Sequence, residues 1–261
     1  MVTVDQLKDL QLKTQFDEHG FVVVREFLDA DNLAQLSGEL DRYIRDVVPS
    51  LPNEKAFFQD RSQPETLKQM QNMEVDPFFD EYRHHPLWTA VAEALLGEPV
   101  EVDTPEWFNK PPGTDHATPP HQDNYYFCFK PPQVVTLWLA LDPVDERNGC
   151  LRYVAGSHHH PLRDHAQTDV LGFSQSVTDY GEEDRQKEVT MILQPGDLAA
   201  HHGNLLHRAD ANRSDNRQRR SFALVFHAAS CEKDAEALDR YMSQLSEQHY
   251  RVDSDPPPPE K

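Results

Sequence analysis

The nine residues His121-Gln122-Asp123-Asn124-Tyr125-Tyr126-Phe127-Cys128-Phe129 place a histidine and a carboxylate two positions apart at the head of an apolar, aromatic run. Such a run reads as a β-strand, and on a strand residues i and i+2 face the same side. The His121 imidazole and the Asp123 carboxylate then converge on one point, as donors to a divalent metal would. Fourteen histidines and 45 acidic residues generate about two His-x-Asp/Glu spacings by chance. A histidine beside an aspartate is also a common structural pair, so the weight of the motif comes from its surroundings.

Downstream and just upstream of it, the chain has the short period of a β structure. Apolar or alternating runs predict strands over residues 100–109, 121–129, 134–141, 151–155, 188–193, 197–202 and 222–228. Lys110-Pro111-Pro112-Gly113, Arg147-Asn148-Gly149 and Gln194-Pro195-Gly196 punctuate them as turns. The first 99 residues have a longer period. Leu7, Leu10 and Phe16 share a helix face over 4–19, and Gly20 stops that helix. Phe21-Val22-Val23-Val24 predicts a strand. Asp29 caps a helix bearing Leu33, Leu36, Leu40 and Ile44. Pro86 opens another, ended by Gly97. The polar stretch 49–86 predicts a lid or surface excursion. A last helix is expected over 232–248, and the Pro-rich residues 253–261 read as a disordered tail. The expectation is one α+β domain over 1–252. Its β core, 100–228, forms a double-sheet jelly roll flanked by N-terminal helices.

A third ligand must come from a distant strand. His201, His202 and His207 follow the Gly196 turn. The first two are neighbours on a strand, so at most one faces inward. His207, where the chain re-enters the core after Asn204-Leu205-Leu206, is preferred. Two histidines and one carboxylate leave coordination positions open for a bidentate 2-oxo acid and O2. A buried 2-oxo diacid needs a forked cation for its far carboxylate. Arg213, Arg217, Arg219 and Arg220 stand just before the apolar strand 222–228. Spacing alone leaves Arg219 and Arg220 as alternatives, facing opposite ways. His158-His159-His160 cannot all reach one ion and reads as loop.

Together these pieces resemble the phytanoyl-CoA dioxygenase family of Fe(II)/2-oxoglutarate oxygenases. The resemblance begins at Phe16-Asp17-Glu18-His19-Gly20-Phe21 and runs through Lys110-Pro111-Pro112-Gly113 and His121-Gln122-Asp123. It continues through Trp138-Leu139-Ala140-Leu141-Asp142, Asn148-Gly149-Cys150-Leu151 and Gly156-Ser157-His158, then Gly196-Asp197, His207, Asn212, Ser214 and Arg219. It implies a cupin-like double-stranded β-helix. It implies His121, Asp123 and His207 as iron ligands, Arg219 as the 2-oxoglutarate clamp with Arg220 next, and Lys110, Gln122 and Trp138 lining the co-substrate pocket. The cofactors implied are Fe(II), 2-oxoglutarate and O2, with ascorbate as a candidate reductant. Where the family often has a co-substrate-binding serine, this chain has Ala209. Related halogenases replace the carboxylate ligand, so the intact Asp123 speaks against halogenation.

The expected reaction is hydroxylation of an unactivated C–H of a small molecule, with release of succinate and CO2. Desaturation, demethylation and ring closure use the same ligands, and a non-catalytic metal-binding jelly roll is the remaining alternative. Asn124, Tyr125 and Tyr126, with Trp107 and Asn109 across the pocket, are the substrate-lining candidates. A net charge of -20 argues against nucleic acid, anionic membranes and polyphosphorylated acyl-CoA. Three scattered cysteines and an N-terminus without an apolar leader fit a reducing cytoplasm.

Overall fold

The computed structural model describes residues 11–114, 116–168 and 175–254, with side chains to 244. Two antiparallel sheets face each other. The larger has seven strands in the order Phe21–Val24, Leu198–His202, Val134–Ala140, Arg220–Ala228, Val100–Asn109, Leu67–Met70, Ala56–Phe58. The smaller orders Glu188–Thr190, Leu151–Val154, His207–Ala209 and Thr118–His121. This is the expected jelly-roll core, the double-stranded β-helix, with its N-terminal helices packed on the large sheet.

The two faces of the large sheet follow the period-2 rule. Val135, Leu137, Leu139, Phe222, Leu224, Phe226 and Trp107 join the core formed with the helices. Trp138, Ala140, Ala199 and Ala223 face the small sheet, meeting Leu151, Tyr153 and Ala209. Strand Val134–Ala140 is buried on both faces, and its sequence is correspondingly apolar throughout except for Thr136. The helices are delimited as expected. Gly20 and Gly97 end Leu12–His19 and Pro86–Leu96 with positive φ. Asp29 accepts from the Asn32 amide at the start of Ala30–Asp46. Leu7 and Leu10 lie outside the described residues.

Three expectations are corrected. Residues 121–129 are not one strand: Thr118–His121 ends at the histidine, and Asn124–Phe127 is a helical turn. The Asn124 side chain makes the difference. It donates to the Phe129 carbonyl and accepts from the Phe129 amide, closing the turn locally. The stretch 49–86 is not a lid: two of its strands extend the large sheet, and Ala56, Leu67, Met70, Met73 and Phe79 are core. Its polar residues mask a one-sided apolar pattern. The final helix starts later and runs longer, Ala235–Ser254, because Glu232–Lys233 first pairs with Phe129–Lys130. The Pro-rich tail beyond 254 lies outside the described residues. Among those residues no helix is long and apolar enough to cross a membrane.

Candidate active site

The site lies between the two sheets. On the small sheet, Tyr153, His207 and His121 form one cross-strand row, which brings the His121 and His207 rings to 4.2 Å. Asp123 reaches the same point from the turn that follows. The Asn124 amide donates to the Gly203 carbonyl at 2.8 Å, pinning this turn to the large sheet. A Cβ on Gly203 would stand 3.1 Å from Val134 Cβ and 3.3 Å from Asn124 Cβ, so the close approach needs glycine.

Ligand atoms of His121, Asp123 and His207 all lie within 4.8 Å of one another. Asp123 Oδ1 is 3.4 Å from His121 Nε2 and 3.5 Å from His207 Nε2. His121 Nδ1 bonds the Pro119 carbonyl at 2.8 Å, and His207 Nδ1 the Leu205 carbonyl at 2.9 Å. A carbonyl only accepts, so both Nδ1 atoms carry the proton and both Nε2 lone pairs point to the centre. Burial pushes His207 well below the ordinary imidazole range. Burial alone would raise Asp123, yet His207, His121 and His201 hold it well below the usual carboxylate range. An uncharged His207 and an ionised Asp123 are the protonation states a divalent ion requires of them.

His201 is the functional residue that sequence reasoning set aside. It is the inward member of the His201-His202 pair, but it is not a third imidazole donor to the centre. Its Nε2 donates to Asp123 Oδ2 at 3.0 Å, and its Nδ1 accepts from the Tyr153 hydroxyl at 3.0 Å. Thr136 donates to the same Asp123 oxygen at 2.7 Å. The inward parity of 136, 138, 199 and 201 was the available signal.

The donors open into a cavity of about 120 Å³, continuous with solvent. Arg219 lines it at 4% exposure, with its guanidinium carbon 5.4 Å from the Trp138 ring centre. Its Nε has no partner among the described residues, and burial pushes its pKa down to about 10. Arg220 faces the other way, and Asp142 accepts from its amide and guanidinium at 2.8–3.0 Å. Lys110 and Trp138 line the cavity as well. Lys110 Nζ donates to the His116 carbonyl at 3.2 Å. Thr118 stands across the strand pair from Ala209, where it can offer a hydroxyl to the same region.

Other expected residues are placed elsewhere. Gln122 is committed to the backbone, donating to Asn204 and accepting from the Arg163 amide, and it does not line the cavity. Trp107 faces the helical core. Asn124 closes its own turn. Tyr125 donates to Gln244 and Tyr126 to the Gln175 carbonyl. Of the five substrate-lining candidates only Asn109 borders the cavity. Glu106 and Phe108, one position off on the same strand, are the inward residues.

A double-stranded β-helix holding two histidines and a carboxylate beside a buried, unpaired arginine defines a class, the iron- and 2-oxoglutarate-dependent dioxygenases. Comparison with known proteins narrows it. Residues 16–221 match the family described as phytanoyl-CoA dioxygenase (PhyH), and the chain belongs to that family. It is 26% identical to the peroxisomal phytanoyl-CoA dioxygenase of Bos taurus over 235 residues, 85% of this chain and 69% of the relative. Among solved structures it is similar to the carbocyclase SnoK of nogalamycin biosynthesis, with TM-score 0.72, 21% identity and coverage of 94% and 93%. It is also similar to the epimerase SnoN in complex with Fe3+, alpha ketoglutarate and nogalamycin RO, with TM-score 0.69, 24% identity and coverage of 91% and 90%. The chain is thus a 2-oxoglutarate-dependent dioxygenase.

Proposed function

We propose that the protein hydroxylates an unactivated C–H of a small molecule, with His121, Asp123 and His207 holding Fe(II) and Arg219 holding 2-oxoglutarate. The observation that carries this reading is the buried Arg219 guanidinium, which has no ion pair among the described residues and an Nε without a hydrogen-bond partner, opening into the same cavity as three convergent metal donors. A cation so enclosed is costly unless an anion joins it, and a forked carboxylate is the matching shape. When bound, the iron and 2-oxoglutarate, with O2 as the oxidant, would supply the oxidation of the C–H bond, one oxygen atom going to the product and the other to succinate, with CO2 released.

The chain's own work is positional. The Pro119 and Leu205 carbonyls fix the imidazoles. Thr136 and His201 occupy one Asp123 oxygen and leave the other to the centre. Trp138 and the inter-sheet core limit the access of water to the buried end. No side chain is needed as a general base. The net charge of -20 favours a substrate without a polyphosphate handle.

Anaerobic addition of Fe(II) and 2-oxoglutarate tests the reading. A weak visible charge-transfer band is expected, lost in His121→Ala and Asp123→Ala. Metabolites can then be screened for stimulated succinate release. A product that gains one oxygen supports hydroxylation; one that loses two hydrogens refutes it. No band in the wild-type protein refutes the cofactor assignment.

A further inference from the structure

Among the described residues, Glu106 is the one acid besides Asp123 that lines the cavity. Its direction is fixed by the sheet. Glu106 pairs with Ala223, and Ala223 pairs on its other side with Trp138. Ala223 and Trp138 belong to the inter-sheet core, whereas the next residue, Trp107, faces the helices. Glu106 therefore points into the site. It stands apart from the metal-donor cluster of His121, Asp123 and His207. None of the described ion pairs or hydrogen bonds engages its carboxylate, although nearly every other enclosed acid has an arginine or a hydroxyl. Asp184 has Arg163, Asp210 has Arg152 and Arg208, Asp142 has Arg220, and Asp123 has Thr136 and His201.

The charges that act on Glu106 are acids too. Burial comes first, then Asp123, Asp103 and Glu74, and together they push its carboxyl up to about 8. The cavity's cations, by contrast, are grouped with one another. Lys110 is depressed by burial and by Arg219 and Lys68 beside it. Among the described residues, the cavity thus has cations with no ion pair at one end and an acid with none at the other. Taking 2-oxoglutarate at Arg219, as the proposed function does, answers the first and leaves the second.

We propose that Glu106 is a specificity-determining residue that receives a cationic nitrogen, an ammonium or guanidinium group, on the substrate. The proposal rests on the Fe(II)/2-oxoglutarate reading of the site. An enclosed carboxylate gains most from a charged donor, because the alternative is an uncompensated charge or a proton held against a neutral medium. An ammonium group brings that donor with the substrate, and it also fixes which carbon faces the metal donors.

The test uses the full chain, anaerobic, with Fe(II) and 2-oxoglutarate, and two isosteric probes, pentylammonium and 1-pentanol. Pentylammonium is expected to perturb the charge-transfer band at a concentration about 10- to 100-fold below that needed for 1-pentanol, the range of one charge-assisted hydrogen bond. Glu106→Gln keeps size and shape. It should keep the band and lose the discrimination, with a melting temperature no lower than that of the wild-type protein. Equal binding of the two probes, discrimination that survives Glu106→Gln, or no perturbation by pentylammonium overturns the proposal while the cofactor reading stands. Absence of the band in the wild-type protein overturns both.

Discussion

Replacing Arg219 by Met should make the ligand-free protein more stable and blind to 2-oxoglutarate at once. Arg219 is 4% exposed, and burial lowers its pKa from 12.5 to about 10. A base whose folded pKa is depressed costs stability at every pH below that value. At neutral pH the cost is the whole shift, about 3 kcal/mol. Methionine removes the charge and keeps much of the volume, but it forfeits the stacking over Trp138, about 1 kcal/mol. The net gain of about 2 kcal/mol corresponds to a rise in Tm of about 4–8 °C for a domain of this size. The co-substrate reverses the order. At about a hundredfold over its Kd it stabilises the wild-type protein by about 2.7 kcal/mol, and it should leave the variant unmoved. Thermal melts of both proteins, with Mn(II) as a redox-inert metal and with or without 2-oxoglutarate, read both effects. A ligand-free variant that melts below wild type refutes the claim that Arg219 is held at a cost. A variant that keeps its 2-oxoglutarate shift refutes Arg219 as the clamp.

Other consequences are simpler. His201→Phe removes one donor from Asp123 Oδ2, so Co(II) affinity measured by chelator competition should fall about 10- to 100-fold; an unchanged affinity would make His201 a packing residue only. Trp107→Ala empties the helix-facing core and should cost about 3–5 kcal/mol in urea unfolding. It should leave the 2-oxoglutarate affinity of the folded protein unchanged, and a large change there would mean that the strand's faces are assigned the wrong way round. Burial pushes His202 from 6.5 down to about 3, and its Nδ1 accepts the Asn204 amide only when neutral. The folded state then binds fewer protons than the unfolded chain below pH 6.5, so stability should fall as the pH drops, by up to about 1.4 kcal/mol per pH unit. Urea unfolding at pH 6.5, 5.5 and 4.5 should show that slope in the wild type and a flatter one in His202→Gln.

The readable part of this chain was whatever depends on period and turn chemistry. The short apolar runs of 134–141 and 222–228, the glycines at 20, 97 and 196 and the aspartate cap at 29 each appear in the structure where they were expected. The triad was legible because its residues are polar in an apolar setting. What failed depends on side chains bonding their own backbone or on partners far along the chain. Asn124 turns an apparent strand into a helical turn, which pattern alone does not reveal. Strand parity is equally silent in an unalternating sequence, so Trp107 was chosen where Glu106 and Phe108 face inward, while Asn109 does border the cavity. Arg219 and Arg220 differ only in which of them meets Asp142, a residue 77 or 78 positions away. The polar 49–86 segment was read as a lid because its buried residues are too widely spaced to form a run.

Asp123 shows why these details matter for chemistry. Its Oδ1 faces two imidazole nitrogens, while its Oδ2 is taken by Thr136 and His201. A carboxylate held in this way offers one oxygen to a metal, and three protein donors leave three of six positions free. The free positions open into a cavity whose charges are unevenly placed, with Arg219 and Lys110 together and Glu106 among acids. A dianion entering that cavity is drawn to the cationic end, and a cationic substrate group, which favours the ionised form of Glu106, is drawn to the other. Order of occupancy and orientation then follow from electrostatics, without a moving part. If Glu106 and Arg219 were exchanged by double substitution, 2-oxoglutarate affinity should collapse, because the donors would remain while the field that sorts the ligands had been inverted.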